Sequence, residues 1–170
     1  ELTVTQDLTV TAGDDITDSG TVTVGRNLSV TTDASDGVID LGDLAVDGTM
    51  ALVTAGNGAA TVVNDAAIEF AASTVGGALS ATATTGNITQ SGALDIEGTT
   101  TLVTTAQGAT IVLGTSTNAF TGAVTITTND NDPVDGTYAA DVTIDGGTTL
   151  LRIAASTIDG DLTLRSGNAS

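Results

Sequence analysis

The sequence predicts an all-β fold, a parallel β-solenoid of about seven coils with roughly 24 residues in each. Three observations predict it. Short runs alternate apolar and polar residues, corner glycines return at near-constant spacing, and the apolar residues are mostly small or branched. Seven coils stacked at the inter-strand distance make a rod of about 34 Å.

The first unit shows the alternation. Leu8-Thr9-Val10, Asp15-Ile16-Thr17 and Val22-Thr23-Val24 are short runs separated by Gly, Asp and Ser. A period of two sends one set of side chains inward and the other to water. Gly20, Gly25, Gly48, Gly77, Gly98 and Gly122 supply the corners. Further along, "LAVDGTMALVT" (44–54), "LDIEGTTTLVT" (94–104) and "VTIDGGTTLLR" (142–152) align without gaps at offsets of 50 and 48. "NAFTGAVTI" (118–126) places the same corner between the last two, so Gly98, Gly122 and Gly146 are 24 apart.

Longer similarities overlie that unit. "LTVTAGDDITDSGTVTV" (8–24) matches "LSATATTGNITQSGALDI" (79–96) with one inserted residue, and "AASTVGGALS" (71–80) matches "AASTIDGDLT" (154–163) at an offset of 83. Residues 1–170 therefore read as one solenoid segment of roughly two superunits. Its period slips near the C-terminus, where Gly146 and Gly160 are only 14 apart.

A β-sandwich built from Asp-Gly hairpins is the competing architecture. It needs no constant period and normally holds larger core side chains, whereas a solenoid needs both the period and small interior residues in ladders. Leu44, Val46, Leu52, Leu94, Ile96, Leu102, Val142, Ile144 and Leu150 are accordingly expected as interior ladders aligned two coils apart.

Composition narrows the chemistry. The chain has no His and no Cys, which removes Ser-His-Asp and Cys-His nucleophiles, thiol redox chemistry and the usual zinc sites. A formal charge of −18, with three Arg against 21 acidic residues, repels phosphate backbones and excludes nucleic acid as a partner. No apolar run approaches the roughly 20 residues of a membrane helix, so no membrane insertion is expected. No signal-peptide pattern opens the chain.

Runs such as "GNITQSGALDIEGTTTLVTT" (86–105), "DDITDSGTVTVG" (14–25) and "NAFTGAVTITT" (118–128) resemble the strand repeats of giant bacterial exoproteins of the filamentous-haemagglutinin and adhesin type. The resemblance implies a right-handed parallel β-helix, secretion, and a place in a long extracellular or cell-surface fibre. It carries over no catalytic residue. Neither "ELTVTQDLTV" nor "DLTLRSGNAS" looks like a polar cap, so the segment is expected either to continue in a longer array or to stack end to end with itself.

Several local patterns invite a site. "NDNDPVDG" (129–136) contains the only proline, and its acidic residues Asp130, Asp132 and Asp135 are the calcium candidates. An EF-hand register ending at Gly136 would need a ligand at Pro133, so that motif fails and a loop between coils is the plainer reading. Asn27-Leu28-Ser29, Asn87-Ile88-Thr89 and Asn168-Ala169-Ser170 match the glycosylation pattern, which a Thr- and Ser-rich chain also produces by chance. Thr-x-Thr pairs (Thr3/Thr5, Thr9/Thr11, Thr21/Thr23, Thr125/Thr127) would order water on a flat face, as in an ice-binding protein, only if they recurred on the same strand of every coil. "LSVTT" and "MALVT" interrupt them, so strand preference is the expected explanation.

Two functions follow as expectations. The first is a structural repeat of a secreted or surface fibre serving adhesion, matrix or cell–cell contact, with surface glycans or matrix as further partners and no enzymatic activity. The alternative is a polysaccharide-active β-helix enzyme, a lyase or hydrolase. It would use carboxylates from Asp14, Asp15 and Asp18, or Asp36 and Asp40, with Arg26, Arg152 or Arg165 as the cation.

Overall fold

The computed structural model describes residues 1–130 and 139–167. Every strand pairing in it is parallel. The Asp-Gly hairpins of a sandwich are therefore absent at Asp47-Gly48 and Asp145-Gly146, and the chain is a β-solenoid of about seven turns.

One interior coil shows the construction. Ala60–Asn64 lies in a first sheet, Ile68–Phe70 and Ser73–Val75 form two short strands of a second sheet, and Leu79–Ala83 returns to the first. Each coil thus uses three strands, as the alternation predicts. The first sheet stacks Ile16, Ile39, Ala60, Leu79, Thr100, Val124 and Ile153 in one ladder of seven rungs. In the second sheet Ile68, Ile88, Ile111, Val142 and Leu162 do the same.

The rungs of the first ladder fall at positions 16, 39, 60, 79, 100, 124 and 153, so four of its six intervals are shorter than the Gly98–Gly122 spacing. Most coils are therefore shorter than expected, because that pair of glycines spans one of the longer ones. The longest interval, Val124 to Ile153, contains "NDNDPVDG".

A coil of this length also corrects the expected alignment of ladders. Leu44 stacks on Asn64, which stacks on Ala83, and Leu94 lies about half a coil further on, in the opposite sheet. The path from Leu44 to Leu94 thus makes two and a half coils, not two. Leu44 and Val46 face the core from the first sheet, while Leu94 and Ile96 face it from the second. Val142 and Ile144 are buried too, but on Ile111 and Leu113, one strand along from the column of Leu94. Leu150 is not interior: it is 66% exposed.

The core is a single column of Leu, Ile, Val and Ala, with Met50, Phe70 and Phe120 also fully buried. Close backbone stacking at one corner requires glycine. A Cβ on Gly122 would be driven into the carbonyl of Gly98, and one on Gly98 into the backbone of Gly77. Gly146 does not join that column, since a Cβ there would meet the Leu151 side chain at 3.1 Å.

Candidate functional surfaces: polar corners, an uncharged face and open ends

Where the ladder breaks at corners, side chains replace backbone acceptors. Val38 N–H donates to Asp15 Oδ1 at 2.8 Å, Asp43 N–H to Asp18 Oδ2 at 2.8 Å, and Asn57 N–H to Asp36 Oδ1 at 2.6 Å. Each donor belongs to the following coil. Asp36 adopts the left-handed conformation (φ 68°) that Asp tolerates better than most residues. The short carboxylate reaches the next coil while fixed to its own backbone, which accounts for Asp outnumbering Glu eighteen to three.

The internal repeat tests what these carboxylates do. Asp15 corresponds to Asn87 and Asp18 to Gln90 in the match between 8–24 and 79–96. Asn87 Oδ1 accepts Thr110 N–H at 2.8 Å, and Gln90 Oε1 accepts Thr115 N–H at 3.4 Å. A neutral amide oxygen thus does at 87 and 90 what a carboxylate does at 15 and 18. The positions use an acceptor, not a charge. Asp14 corresponds to Gly86, and Asp40 stands outward on the first sheet between Thr17 and Thr61.

Other corner groups are inward and were illegible as such in the sequence. Ser73 Oγ accepts Leu52 N–H at 3.1 Å and donates to Ala71 O at 3.0 Å; Ser156 Oγ accepts Ile126 N–H at 3.0 Å and donates to Ala154 O at 3.0 Å. The two "AAST" motifs therefore make the same pair of bonds on opposite sheets. Asn64 and Asn118, both buried, splice the ladder in a similar way: Val46 N–H donates to Asn64 Oδ1 at 2.8 Å and Leu94 N–H to Asn118 Oδ1 at 2.9 Å. The threonine ending "LVT" is a fourth such device, with Thr54 Oγ1 donating to Gly58 O at 2.6 Å and Thr104 Oγ1 to Ala109 O at 3.3 Å. Thr100 Oγ1 is the one buried side-chain oxygen without a partner among the described residues.

Of the calcium candidates, Asp130 is half-buried and its N–H donates to Asp159 Oδ2 at 3.1 Å; Asp132 and Asp135 lie outside the described residues, as do Pro133 and Asn168. Among the described residues no group of three or more acidic side chains is placed to hold a metal. Asn27 and Asn87 are exposed, each with its side-chain carbonyl oxygen engaged by the next coil (Thr49 N–H at 3.0 Å, Thr110 N–H at 2.8 Å). Arg26 is exposed, and Arg152 donates to Thr121 O at 3.4 Å. Arg165 pairs in register with Asp145 in a shallow trough of about 710 Å³ at the C-terminal end.

Over four coils the outward side of the first sheet is a regular array. Thr61, Ser80, Thr101 and Thr125 form one column and Val63, Thr82, Val103 and Thr127 the next, in unbroken register. The interrupting strands "LSVTT" and "MALVT" belong to the second sheet.

Both ends of the described rod present core residues. A cavity of about 200 Å³ opens at the first coil among Leu2, Leu8, Val10, Ile16 and Val22. At the last coil Leu162 is 44% and Leu164 43% exposed.

Comparison with curated proteins and with solved structures found no match. One family model does match, over residues 1–43 and 57–127, and these two stretches hold the paired copies 8–24 and 79–96 whose side chains make equivalent bonds. The chain belongs to the repeats of unknown function designated DUF5649.

Proposed function

We propose that this chain is a structural segment of a secreted or cell-surface fibre, serving adhesion, matrix or cell–cell contact, and that further coils continue it at both ends. The observation that carries the reading is the repeat itself. Leu8, Val10, Ile16 and Val22 of the first coil correspond to Leu79, Ala81, Ile88 and Leu94, which are buried beneath the strands Ala60–Asn64, Ile68–Phe70 and Ser73–Val75. The cover that fits the first coil is therefore another coil, from the same long chain or from a second copy. Parallel strands with bare edges on both sides allow head-to-tail extension without closure.

The non-enzymatic reading rests on the corners. Asp15, Asp18 and Asp36, three of the five carboxylates that a polysaccharide-active site would draw on, are engaged as acceptors for the next coil, whereas Asp14 and Asp40 are exposed. Carbohydrate, if bound, would be a contact partner on the rod surface.

Two experiments test the proposal. Antibody against the chain should label intact producing cells in extended fibres; labelling only after lysis overturns the surface assignment. Light scattering of the isolated chain, with calcium and with chelator at several salt concentrations, should show elongation promoted by salt and by calcium. A compact monomer indifferent to both, together with cleavage of a polysaccharide by elimination or hydrolysis, would replace the fibre with the enzyme.

A further inference from the structure

The outward face of the first sheet differs from the rest of this acidic surface. Its two columns over four successive coils contain no ionised residue, in a chain of formal charge −18. The outward side of the second sheet carries Glu69 between Thr49 and Thr89, and Asp95 between Thr74 and Ala119. Hydroxyls at the neighbouring corners are occupied: Thr84 and Thr105 donate to the carbonyls of Asp65 and Thr84, one coil back. Within the array, the hydroxyls of Thr61, Ser80, Thr82, Thr101, Thr125 and Thr127 bond to no protein group among the described residues. Their hydrogen-bonding capacity is left to whatever lies outside.

We propose that this face binds ice. The parallel register repeats the array about every 4.8 Å across the coils and about every 6.6 Å along each strand. Both repeats lie near distances that recur between water molecules in a hexagonal ice layer. Threonine and valine are stiff at χ1, so each hydroxyl and methyl is held in place before water arrives. Water held by the hydroxyls and caged by the methyls between them can then join a crystal lattice. An ionised group would orient its own hydration shell and break that order, and these four coils of the array have none; Asp40 and Arg152 stand outward on the coils that flank it.

Two other occupants fit less well. Sugar rings stack on aromatic side chains, and Phe70 and Phe120 are both fully buried. A protein partner needs about 800 Å² per side for a stable interface, whereas these eight positions cover roughly 250 Å² at the strand spacings. A crystal surface needs only the repeat. The sequence concealed the array because "LSVTT" and "MALVT" lie on another sheet and because only Thr125/Thr127 of the Thr-x-Thr pairs belongs to it, the other strands supplying Thr-x-Val or Ser-x-Thr.

The test is thermal hysteresis and crystal shaping by the purified chain. The expected result is faceted crystals held below their melting point, with the protein partitioning into slowly grown ice. Thr101→Lys and, independently, Ser80→Lys place a charge in the middle of the array at outward positions, and each should abolish hysteresis with an unchanged circular dichroism spectrum and melting temperature. Thr143→Lys, outward on the second sheet, should leave hysteresis intact. Rounded crystals growing at the equilibrium freezing point in the unmodified chain would overturn the proposal. So would hysteresis that survives in folded Thr101→Lys and Ser80→Lys.

Discussion

The first coil and the coil containing residues 79–96 are two copies of one sequence in two environments. Leu79, Ala81, Ile88 and Leu94 are at most 1% exposed, while their counterparts Leu8, Val10, Ile16 and Val22 are only half-buried. The local chemistry is the same; a neighbouring coil makes the difference. A residue here contributes no fixed stability apart from its rung, because each coil contacts only the coils before and after it.

Breaking that comparison with the same substitution at both copies gives the largest effect. Leu79→Asp puts an unpaired carboxylate into the column and should cost about 4 kcal/mol or more, enough to open the rod around it. Leu8→Asp, beside the cavity at the first coil, should cost about 1 kcal/mol, because the carboxylate reaches water and less apolar area is lost. Denaturant melts and amide exchange of the two variants measure the gap. Equal losses would mean that the first coil is already covered in solution.

A backbone contrast comes next. Gly122→Ala drives a methyl into the Gly98 carbonyl and should cost about 2 kcal/mol, through a shift of two coils. At Gly42, mid-strand in Ile39–Val46, a methyl would meet nothing within 4 Å. Gly42→Ala should therefore be neutral or slightly stabilising, within about 0.5 kcal/mol. If thermal melts rank the two alike, the close corner stacking is not what holds these glycines in place.

Much of this architecture was legible in the sequence. Alternation in runs such as Leu8-Thr9-Val10, and the recurring corner glycines, specify parallel coils because only that arrangement needs both; of the regular set Gly98, Gly122 and Gly146, the first two stack, with Gly77 and not Gly146 as the third member. The pairing of faces was not legible. The interval from Leu44 to Leu94 looks like two long coils, and the half-coil that sends Leu94 to the opposite sheet shows only once the rungs from Ile16 to Val124 are followed. Leu150 was misplaced for a related reason: the alignment of "VTIDGGTTLLR" fails after its first glycine, and Thr149 Oγ1 instead accepts Phe120 N–H at 3.3 Å. Inward serines were hidden because Ser beside Ala-Ala reads as a turn, while a hydroxyl splicing a ladder leaves no separate signal.

The two "AAST" motifs offer a finer contrast. Ser73→Ala leaves the N–H of buried Leu52 without an acceptor and should cost about 1–2 kcal/mol. Ser156 makes the same bonds but is itself exposed, so water can replace its oxygen and Ser156→Ala should cost about 0.5 kcal/mol. Denaturant midpoints decide this. Equal costs would show that the hydrogen bond, and not its burial, sets the energy.

The smallest effect separates acceptor from charge at the corners. Asp15 and Asn87 occupy the same place in the repeat and accept the next coil's N–H at the same 2.8 Å. Asp15→Asn keeps the acceptor and removes one of 21 acidic groups, so it should change stability by no more than about 0.5 kcal/mol and in the stabilising direction at low salt, where the acidic groups of the chain repel one another most. That gain should fade as salt is raised and the screening length falls below about 10 Å. Asp15→Ala removes the acceptor as well, and should cost about 0.5–1 kcal/mol at every salt concentration, since Val38 N–H then has only water. Melts of the three proteins across a salt series distinguish the cases. Should Asp15→Asn prove as costly as Asp15→Ala, the corner needs the charge itself, and the acidic turns regain a claim to a cation or to catalysis.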